Sequence, residues 1–273
     1  SEMCIRDSYS NAQQSTSSPY SFYGLGSLKF KGTVENQSMG GISVHSDSIH
    51  INLRNPASYA GANLAFYNNE SRPVKFSLGT SFSSTNVETT ATSDEYGNSS
   101  IDYLAVVFPI KKFGVGFGIL PYSSVGYQLQ SRNENNELQF RYRGEGGSNR
   151  TFLTMGYQLS KNLKIGVDAH YNFGNISNTS IAFGYNYQGQ LLQYQSREVK
   201  RSDLSGFSYN FGMIYSAKIS KSLEITLATT HSPEASISSE NQSQFATISI
   251  VADQSEFIVN SAVVDLEAVN LAN

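Results

Sequence analysis

The chain has 273 residues, of which 39% are hydrophobic and only 15% charged, and its formal net charge is −3. No uninterrupted apolar run reaches the ~18 residues of a membrane-spanning helix, and the charge balance gives none of the basic footprint of a nucleic-acid-binding protein. The single cysteine, Cys4, excludes a disulfide framework and a cysteine metal site.

Residues 1–14 are interpreted as processing and cloning sequence rather than as part of the fold. Ser1–Ser8 reads SEMCIRDS and resembles a translated sequencing-adapter tag, which is excluded from fold reasoning. The following YSNAQQ resembles the end of a secretory signal peptide, with Ser10 and Ala12 at the small-residue positions and cleavage before Gln13.

Residues 15–69 predict a plug that folds inside a barrel. Their apolar residues come in short pieces, and glycines interrupt any long strand. The alternative is a loosely ordered N-terminal tail. The aromatic content is too high for a solvated segment, so the sequence favours the plug.

Residues 70–273 carry the alternating pattern of β-strands. On both sides of a short turn at Lys161-Asn162 the odd-numbered positions are apolar and the even-numbered ones small or polar. A period of two places the apolar residues on one face of a strand, and two such arms across a short turn predict a β-hairpin. The same design recurs around Lys111-Lys112 and Lys221-Ser222.

The links between these hairpins are long and polar. Residues 86–100, 133–150 and 174–203 predict outer loops, the second with a short strand at Leu138–Tyr142. Short turns at one end and long loops at the other are typical of an outer-membrane β-barrel, whereas a soluble sandwich has connections of similar length at both ends. We therefore predict an all-β, antiparallel transmembrane β-barrel of about eight strands, with the short turns on the periplasmic side.

Three motifs near the N-terminus carry a family resemblance. Ser18–Gly26 reads SPYSFYGLG, Gly40-Gly41 precedes ISV, and Asn55–Tyr59 reads NPASY. Together with the hairpins, they resemble FadL-type outer-membrane transporters of long-chain fatty acids and other hydrophobic compounds, from Ser18 to the C-terminus. One departure is that Phe22-Tyr23 replaces the Arg-Phe usual in that family.

The resemblance implies a protein of the cell outer membrane for passive uptake of hydrophobic compounds, with lateral exit through the barrel wall. Its partners would be a hydrophobic small molecule or fatty acid and outer-membrane lipid, with no cofactor and no enzyme activity. Asn55, Pro56 and Ala57 would form the plug motif. A related FadL-type barrel of type IX secretion implies the alternative, a surface shuttle or binding protein that works with secretion-system proteins.

The resemblance also bears on completeness. Because that family closes its barrel with about fourteen strands, the predicted strands imply an incomplete barrel and a chain that is a fragment. A complete eight-strand barrel is the alternative, but its interior would be too narrow for a plug of this size.

Pro121 interrupts the longest predicted strand, which runs from Phe113 to Ser131. Proline gives no N–H to the ladder, so Pro121–Ser124 is predicted to kink the strand and break its pairing. The resemblance implies that this kink opens a gap in the wall, and the alternative is a simple bulge. The residues expected to bind ligand at the gap are Phe22, Tyr23, Leu25, Leu120, Pro121 and Tyr122.

No catalytic constellation stands out. Asp168, His170 and Asn172 share the polar face of one predicted strand and are interpreted as polar residues of the barrel interior. The Ser/His/Asn arrangement of an outer-membrane phospholipase is the weaker alternative, since nothing marks a serine as the nucleophile, and the scattered histidines lack metal-ligand spacing. The glycines of Gly114–Gly118 are expected to face a crowded interior or plug rather than a phosphate.

Overall fold

The computed structural model describes residues 18–44, 50–61, 74–88, 93–250 and 255–272. The interpretation of residues 1–14 and the predicted plug limits at residues 15 and 69 lie outside these ranges. The described residues form one antiparallel sheet of ten strands with very little helix. The predicted all-β, antiparallel class is therefore confirmed.

The strands follow one another across the sheet in an almost unbroken meander. They are β1 Ser27–Leu28, β2 Lys75–Glu88, β3 Ser93–Ile110, β4 Phe113–Arg132, β5 Leu138–Gln158, β6 Leu163–Ala182, β7 Gln195–Lys218, β8 Glu224–His231, β9 Ser236–Ile250 and β10 Glu256–Ala272. Their order is β10-β9-β7-β6-β5-β4-β3-β2, with β1 paired to β4 and β8 paired to β7. Within the described residues the sheet is open, with β2 and β10 at its two ends, and its closure into a barrel stays a prediction.

Two of these strands, β8 and β9, are halves of one path along β7. Residues 211–218 of β7 pair with β8, and residues 195–205 pair with β9. The halves are separated by residues 232–235, which include Pro233, and proline interrupts a ladder because it has no N–H to donate. The described residues thus have ten strands, more than the predicted eight or so, and β2 to β7, the β8–β9 path and β10 make eight long paths across the sheet.

The three short turns lie where the sequence predicts them. Lys111-Lys112 joins β3 to β4, residues 159–162 join β5 to β6, and residues 219–223 join β7 to β8. Lys111 has a φ of 53°, the left-handed conformation that tight hairpin turns favour.

The predicted outer loops are wrong in length, because most of their residues belong to strands. Only residues 89–92 separate β2 from β3, only 133–137 separate β4 from β5, and only 183–194 separate β6 from β7. The pairing of β5 with β6 continues without a shift from Gln158↔Lys164 to Phe140↔Ala182. Polar side chains occupy both faces of these strand ends, so the alternation that marks a strand disappears although the backbone ladder continues.

The two faces of the sheet differ in chemistry. Large apolar side chains at alternating positions are exposed on the outer face, for example Leu153 (52%) and Phe207 (64%). On the opposite, inner face, small and polar side chains such as Thr154 and Ser208 are buried. A broad exposed apolar band of this kind is the surface that a β-sheet presents to lipid. No helix among the described residues is long and apolar enough to cross a membrane.

Residues 18–44 and 50–61, here called the plug, pack on the inner face. They contain two 310 turns, Pro19–Phe22 and Pro56–Tyr59, and the short helix α1, Val34–Ser38, which begins with a capping box between Thr33 and Asn36. One apolar cluster joins the plug to strands β3, β4 and β5; its members are Ile51, Leu53, Tyr59, Tyr103, Ala105, Val107, Leu120 and Phe152. The predicted packing of the N-terminal segment against the strand interiors is thus observed for its described part.

Candidate functional site: the plug seat and the opening in the wall

Four glycines form a groove across the inner face of four neighbouring strands. They are Gly114 of β4, Gly156 of β5, Gly166 of β6 and Gly212 of β7. Each is the direct partner of the next, in the order Gly114↔Gly156, Gly156↔Gly166 and Gly166↔Gly212. This glycine row leaves room for another backbone to approach the sheet closely.

The plug backbone fills that room. A Cβ added to Gly156 would lie 2.5 Å from the Ala60 nitrogen, and one added to Gly166 would lie 2.5 Å from the Ala57 nitrogen. The same addition at Gly114 or Gly212 would overlap the carbonyl oxygen of Tyr59 or the side-chain oxygen of Asn55. The expectation that the Gly114–Gly118 glycines face a crowded plug is confirmed at Gly114, and also at Gly116, which lies against the Tyr59 ring.

Asn55, Pro56 and Ala57 make a turn against the wall, as predicted. Pro56 opens the 310 turn, and Asn55 before it is extended (φ −120°, ψ 110°), because the residue before a proline avoids the helical region. The Ala57 N–H donates to the Asn55 side-chain oxygen at 3.0 Å, and the Asn55 amide donates weakly to the Met213 carbonyl at 3.4 Å. All three residues are buried, so the motif anchors the plug to the sheet.

Strands β3 and β4 separate part-way along their length. Their pairing runs from Ile110↔Phe113 to Leu104↔Ile119 and ends there, although β3 continues its pairing with β2 and β4 its pairing with β5. A register shift between Pro121 and Ser123 lies beside the point of separation. The predicted break at Pro121 is therefore observed, both as a bulge against β5 and as the end of pairing with β3. We call the space beyond this point the opening.

The plug supplies the strand that borders the opening. In β1, Ser27 pairs with Ser124 and Leu28 with Ser123, and the Lys29 N–H donates to the Tyr122 carbonyl at 2.9 Å. Farther along, the Ser21 hydroxyl and the Gly126 N–H and carbonyl exchange hydrogen bonds of 3.1 and 3.2 Å. The edge of β4 that β3 leaves is thus occupied by the N-terminal segment.

The residues predicted to bind ligand fall into two groups. Phe22 packs edge-on against Tyr23 and Tyr127, with ring centroids 5.2 and 5.1 Å apart, and Leu25 packs on the apolar cluster that contains Tyr127. Phe22 and Tyr23 are also exposed.

The other group lies lower on β4. Leu120 is buried in the apolar cluster beneath the plug, and the Arg150 guanidinium lies 4.3 Å from the centre of the Tyr122 ring. Pro121 lies between Leu120 and Tyr122 at the bulge. The structure therefore brings the predicted residues to β4 and the plug segment beside it, but as two groups rather than as one lining: an upper aromatic group of Phe22, Tyr23 and Leu25, and a lower group of buried Leu120 with half-buried Pro121 and Tyr122.

Buried polar residues form hydrogen-bonded rows across β5, β6 and β7, as expected for the interior positions of β6. In one row the Thr154 hydroxyl and the Asn210 amide both donate to Asp168, the amide at 3.0 Å. In the next, Arg150 donates to Asn172 at 2.7 Å, and the Asn172 amide donates to the Ser208 hydroxyl at 3.0 Å. Bonding of buried polar groups in this way offsets the cost of removing them from water.

Lys31 brings a plug cation to this polar layer. Its ammonium nitrogen lies 3.7 Å from the Asp168 carboxylate, and the His170 Nε2 lies 3.7 Å from the same carboxylate oxygen. Burial lowers the pKa of Lys31, while the negative charge of Asp168 acts in the opposite direction. Asp168 therefore compensates the charge of a lysine that belongs to the plug.

Sequence reasoning placed Asp168, His170 and Asn172 on the inner face but missed their partners. The missed residues are Lys31, Arg150, Thr154, Ser208 and Asn210. A signal for the glycine row is present in the sequence, because the arms that become β4, β5, β6 and β7 each carry a glycine at an inward position. Among the described residues no group of three or more His, Cys, Asp or Glu side chains is placed to hold a metal ion.

Fold and site together define an all-β protein whose outer face is apolar and whose inner face seats an N-terminal plug. In a comparison with known families, residues 2–272 match the family model BamG. The chain belongs to the BamG family. No curated protein and no solved structure matches it. The all-β fold and the family match together indicate an outer-membrane-associated protein, and BamG is a different family from FadL, whose resemblance stays a hypothesis.

Proposed function

We propose that this protein is an outer-membrane channel for passive uptake of hydrophobic compounds such as long-chain fatty acids. The observation that carries the proposal is the opening between β3 and β4, where the ladder ends at Leu104↔Ile119 although both strands continue. A closed ladder gives an apolar molecule no path through a barrel wall, because each strand is bonded to both neighbours. Where that bonding ends, β1 covers the freed edge of β4, and such a path would form when β1 leaves it.

In this proposal the ligand meets the upper aromatic group first. Phe22 and Tyr23 are 40% and 74% exposed, so they offer apolar surface to a molecule that arrives from outside. Strand β1 then leaves the edge of β4, and the ligand passes between β3 and β4 into outer-membrane lipid. Release of β1 breaks few hydrogen bonds, because β1 is held on β4 by two paired residues and a few flanking hydrogen bonds.

A disulfide across β1 and β4 tests the proposal. Leu28→Cys and Ser123→Cys introduce a pair at directly opposed positions, where antiparallel Cα atoms lie about 4.5–5.5 Å apart, within disulfide range. With Cys4→Ser as background, oxidation is expected to stop uptake of a fluorescent long-chain fatty acid by cells, and reduction to restore it.

The matched control is Leu153→Cys with Ala169→Cys, an opposed pair on β5 and β6 that leaves the opening free. Unchanged uptake after complete oxidation of the β1–β4 pair would refute lateral exit. Pro121→Val is the second variant, because it gives residue 121 an N–H that the ladder lacks. It should narrow the opening and slow uptake of the same probe.

A surface shuttle or binding protein that works with secretion-system proteins is the second candidate. Two observations favour it. The plug backbone fills the glycine row, which blocks the inner face at that level, and β7 has 24 residues, or about 80 Å at 3.3 Å each. At a tilt of about 40° such a strand rises far beyond an apolar band of about 25 Å. Deletion of residues 183–194 should then reduce surface display of secreted proteins and leave fatty-acid uptake unchanged.

A further inference from the structure

Lys31 and β1 belong to the same short stretch of the plug. β1 ends at Leu28, Lys29 makes the last backbone hydrogen bond to β4, and Lys31 follows two residues later. Its side chain reaches past β5 to Asp168 on β6, at 3.7 Å. Backbone hydrogen bonds therefore hold β1 on β4, and the Lys31 side chain links the same stretch of the plug to β6, two strands away.

The charges around this pair are unbalanced. Arg150 of β5 and Arg54 of the plug both act on Lys31 with repulsion, and Asp168 is the carboxylate that offsets them. His170 faces the same carboxylate from its own strand. With Asp168 ionised, Lys31 is attracted to β6. With that charge removed, Lys31 would be held in a half-buried position near two other cations.

We propose that the Lys31–Asp168 ion pair is the latch that keeps β1 docked at the opening. The inference rests on the proposed function for its biological meaning, since it assigns to these two residues the control of lateral exit. Its physical content is independent of transport: it concerns how firmly residues 27–29 are held on β4. Lys31 and Asp168 are positioning residues, and neither is expected to touch the ligand.

Hydrogen bonds from the two neighbouring strands hold the Asp168 carboxylate in position for this role. The Thr154 hydroxyl and the Asn210 amide fix its two oxygens from the neighbouring strands. A carboxylate fixed in this way loses little conformational freedom when it pairs with Lys31, so more of the attraction remains available for docking the plug. In Asp168→Asn the side-chain oxygen can still accept from the Asn210 amide, and the new NH2 group can donate to the Thr154 hydroxyl, which then accepts instead of donating. The substitution therefore changes charge and keeps shape.

The latch predicts an order of effects that a purely structural role does not. Asp168→Asn should release β1 most, because the half-buried Lys31 then meets the repulsion of Arg150 and Arg54 without a compensating carboxylate. Lys31→Gln should release β1 less, because attraction is lost and no repulsion remains. The double variant should behave like Lys31→Gln, and it should therefore dock better than Asp168→Asn alone.

The readout is the rate of disulfide formation between Leu28→Cys and Ser123→Cys under mild oxidant, in the full chain with Cys4→Ser in outer membranes. We expect the rate to fall about tenfold or more in Asp168→Asn, and about threefold in Lys31→Gln and in the double variant. Lys221→Gln, a loss of the same charge at an exposed position in the turn between β7 and β8, is the matched control and should leave the rate unchanged. Heat-modifiable migration on gels verifies that each variant is folded.

Equal rates in the parent and Lys31→Gln, or a double variant slower than both single variants, would overturn the latch. Fatty-acid uptake measured in the same variants separates the two proposals. A lower disulfide rate in Lys31→Gln, with uptake that the β1–β4 disulfide does not change, would keep the latch and remove the transport function. Uptake that the disulfide stops, with equal disulfide rates in the parent and Lys31→Gln, would keep transport and remove the latch.

Discussion

Gly166→Ala tests whether the plug is seated by close backbone contact with the glycine row. The new methyl group would lie 2.5 Å from the Ala57 nitrogen, whereas ordinary contact begins at 3.4 Å. The nearest atoms are backbone, which cannot rotate aside as a side chain can, so the plug must retreat by about 1 Å. Overpacking of this kind costs about 1–3 kcal/mol.

That cost should appear in the plug and not in the sheet. Alanine is no worse than glycine within a strand, because glycine loses more conformational freedom on folding. Local opening of residues 50–61 should therefore become about 5- to 150-fold more frequent, while β5 and β6 keep their protection. Hydrogen exchange followed by mass spectrometry of peptides from both regions measures each opening separately.

Gly97→Ala is the matched control, since its added methyl group would meet only the ring of Phe82, a side chain, at 3.3 Å. Exchange of residues 50–61 should be unaffected by that change. Two results would refute the reasoning: unchanged exchange of the plug in Gly166→Ala, or loss of protection in β5 and β6 before the plug.

Three further predictions concern other parts of the molecule. Asn172→Leu should destabilise the wall by about 1–3 kcal/mol because Arg150 loses a buried acceptor, and an unchanged urea midpoint of unfolding would contradict this. Thr33→Ala should lower the local stability of α1 by about 1 kcal/mol, because the N-cap is lost, and should speed hydrogen exchange of residues 34–38. Unchanged exchange there would show that the cap does not stabilise the helix. On intact cells a thiol reagent should label Tyr187→Cys, in the segment between β6 and β7, and leave Lys161→Cys unlabelled; the reverse pattern would invert the predicted topology.

The sequence predicts the hairpins well because one face of each strand has apolar surroundings and the other face has polar ones. Around Lys161-Asn162 the alternation is strict, and the turn lies where it ends. Farther along the same strands, as at residues 174–182, polar residues predominate and the apolar Ile176 and Ile181 are five positions apart, so hydropathy no longer shows a period of two. Backbone pairing continues there from the part of the hairpin near the turn, so β5 and β6 are longer than the hydropathy pattern predicts.

The site was predicted to a lesser degree, for a similar reason. Pro121 has a local signature, since proline interrupts a ladder wherever it stands, and its bulge is observed. The contact of Lys31 with Asp168 joins residues far apart in the chain, and nothing in either neighbourhood indicates the other. Likewise each glycine of the row has a local explanation in its own strand, and only the register of four strands shows that they form one groove.

The glycine row also makes the plug a check on strand register. A shift of one residue in a strand exchanges its inward and outward side chains, so a slipped β6 would turn Ile165 or Val167 toward the position that Gly166 occupies. The seat for Asn55–Ala60 exists only when four strands are correctly aligned. The N-terminal segment is made first during synthesis, yet it can complete its folding only after the hairpins downstream have formed. Until then its apolar residues lack their seat and are prone to aggregation.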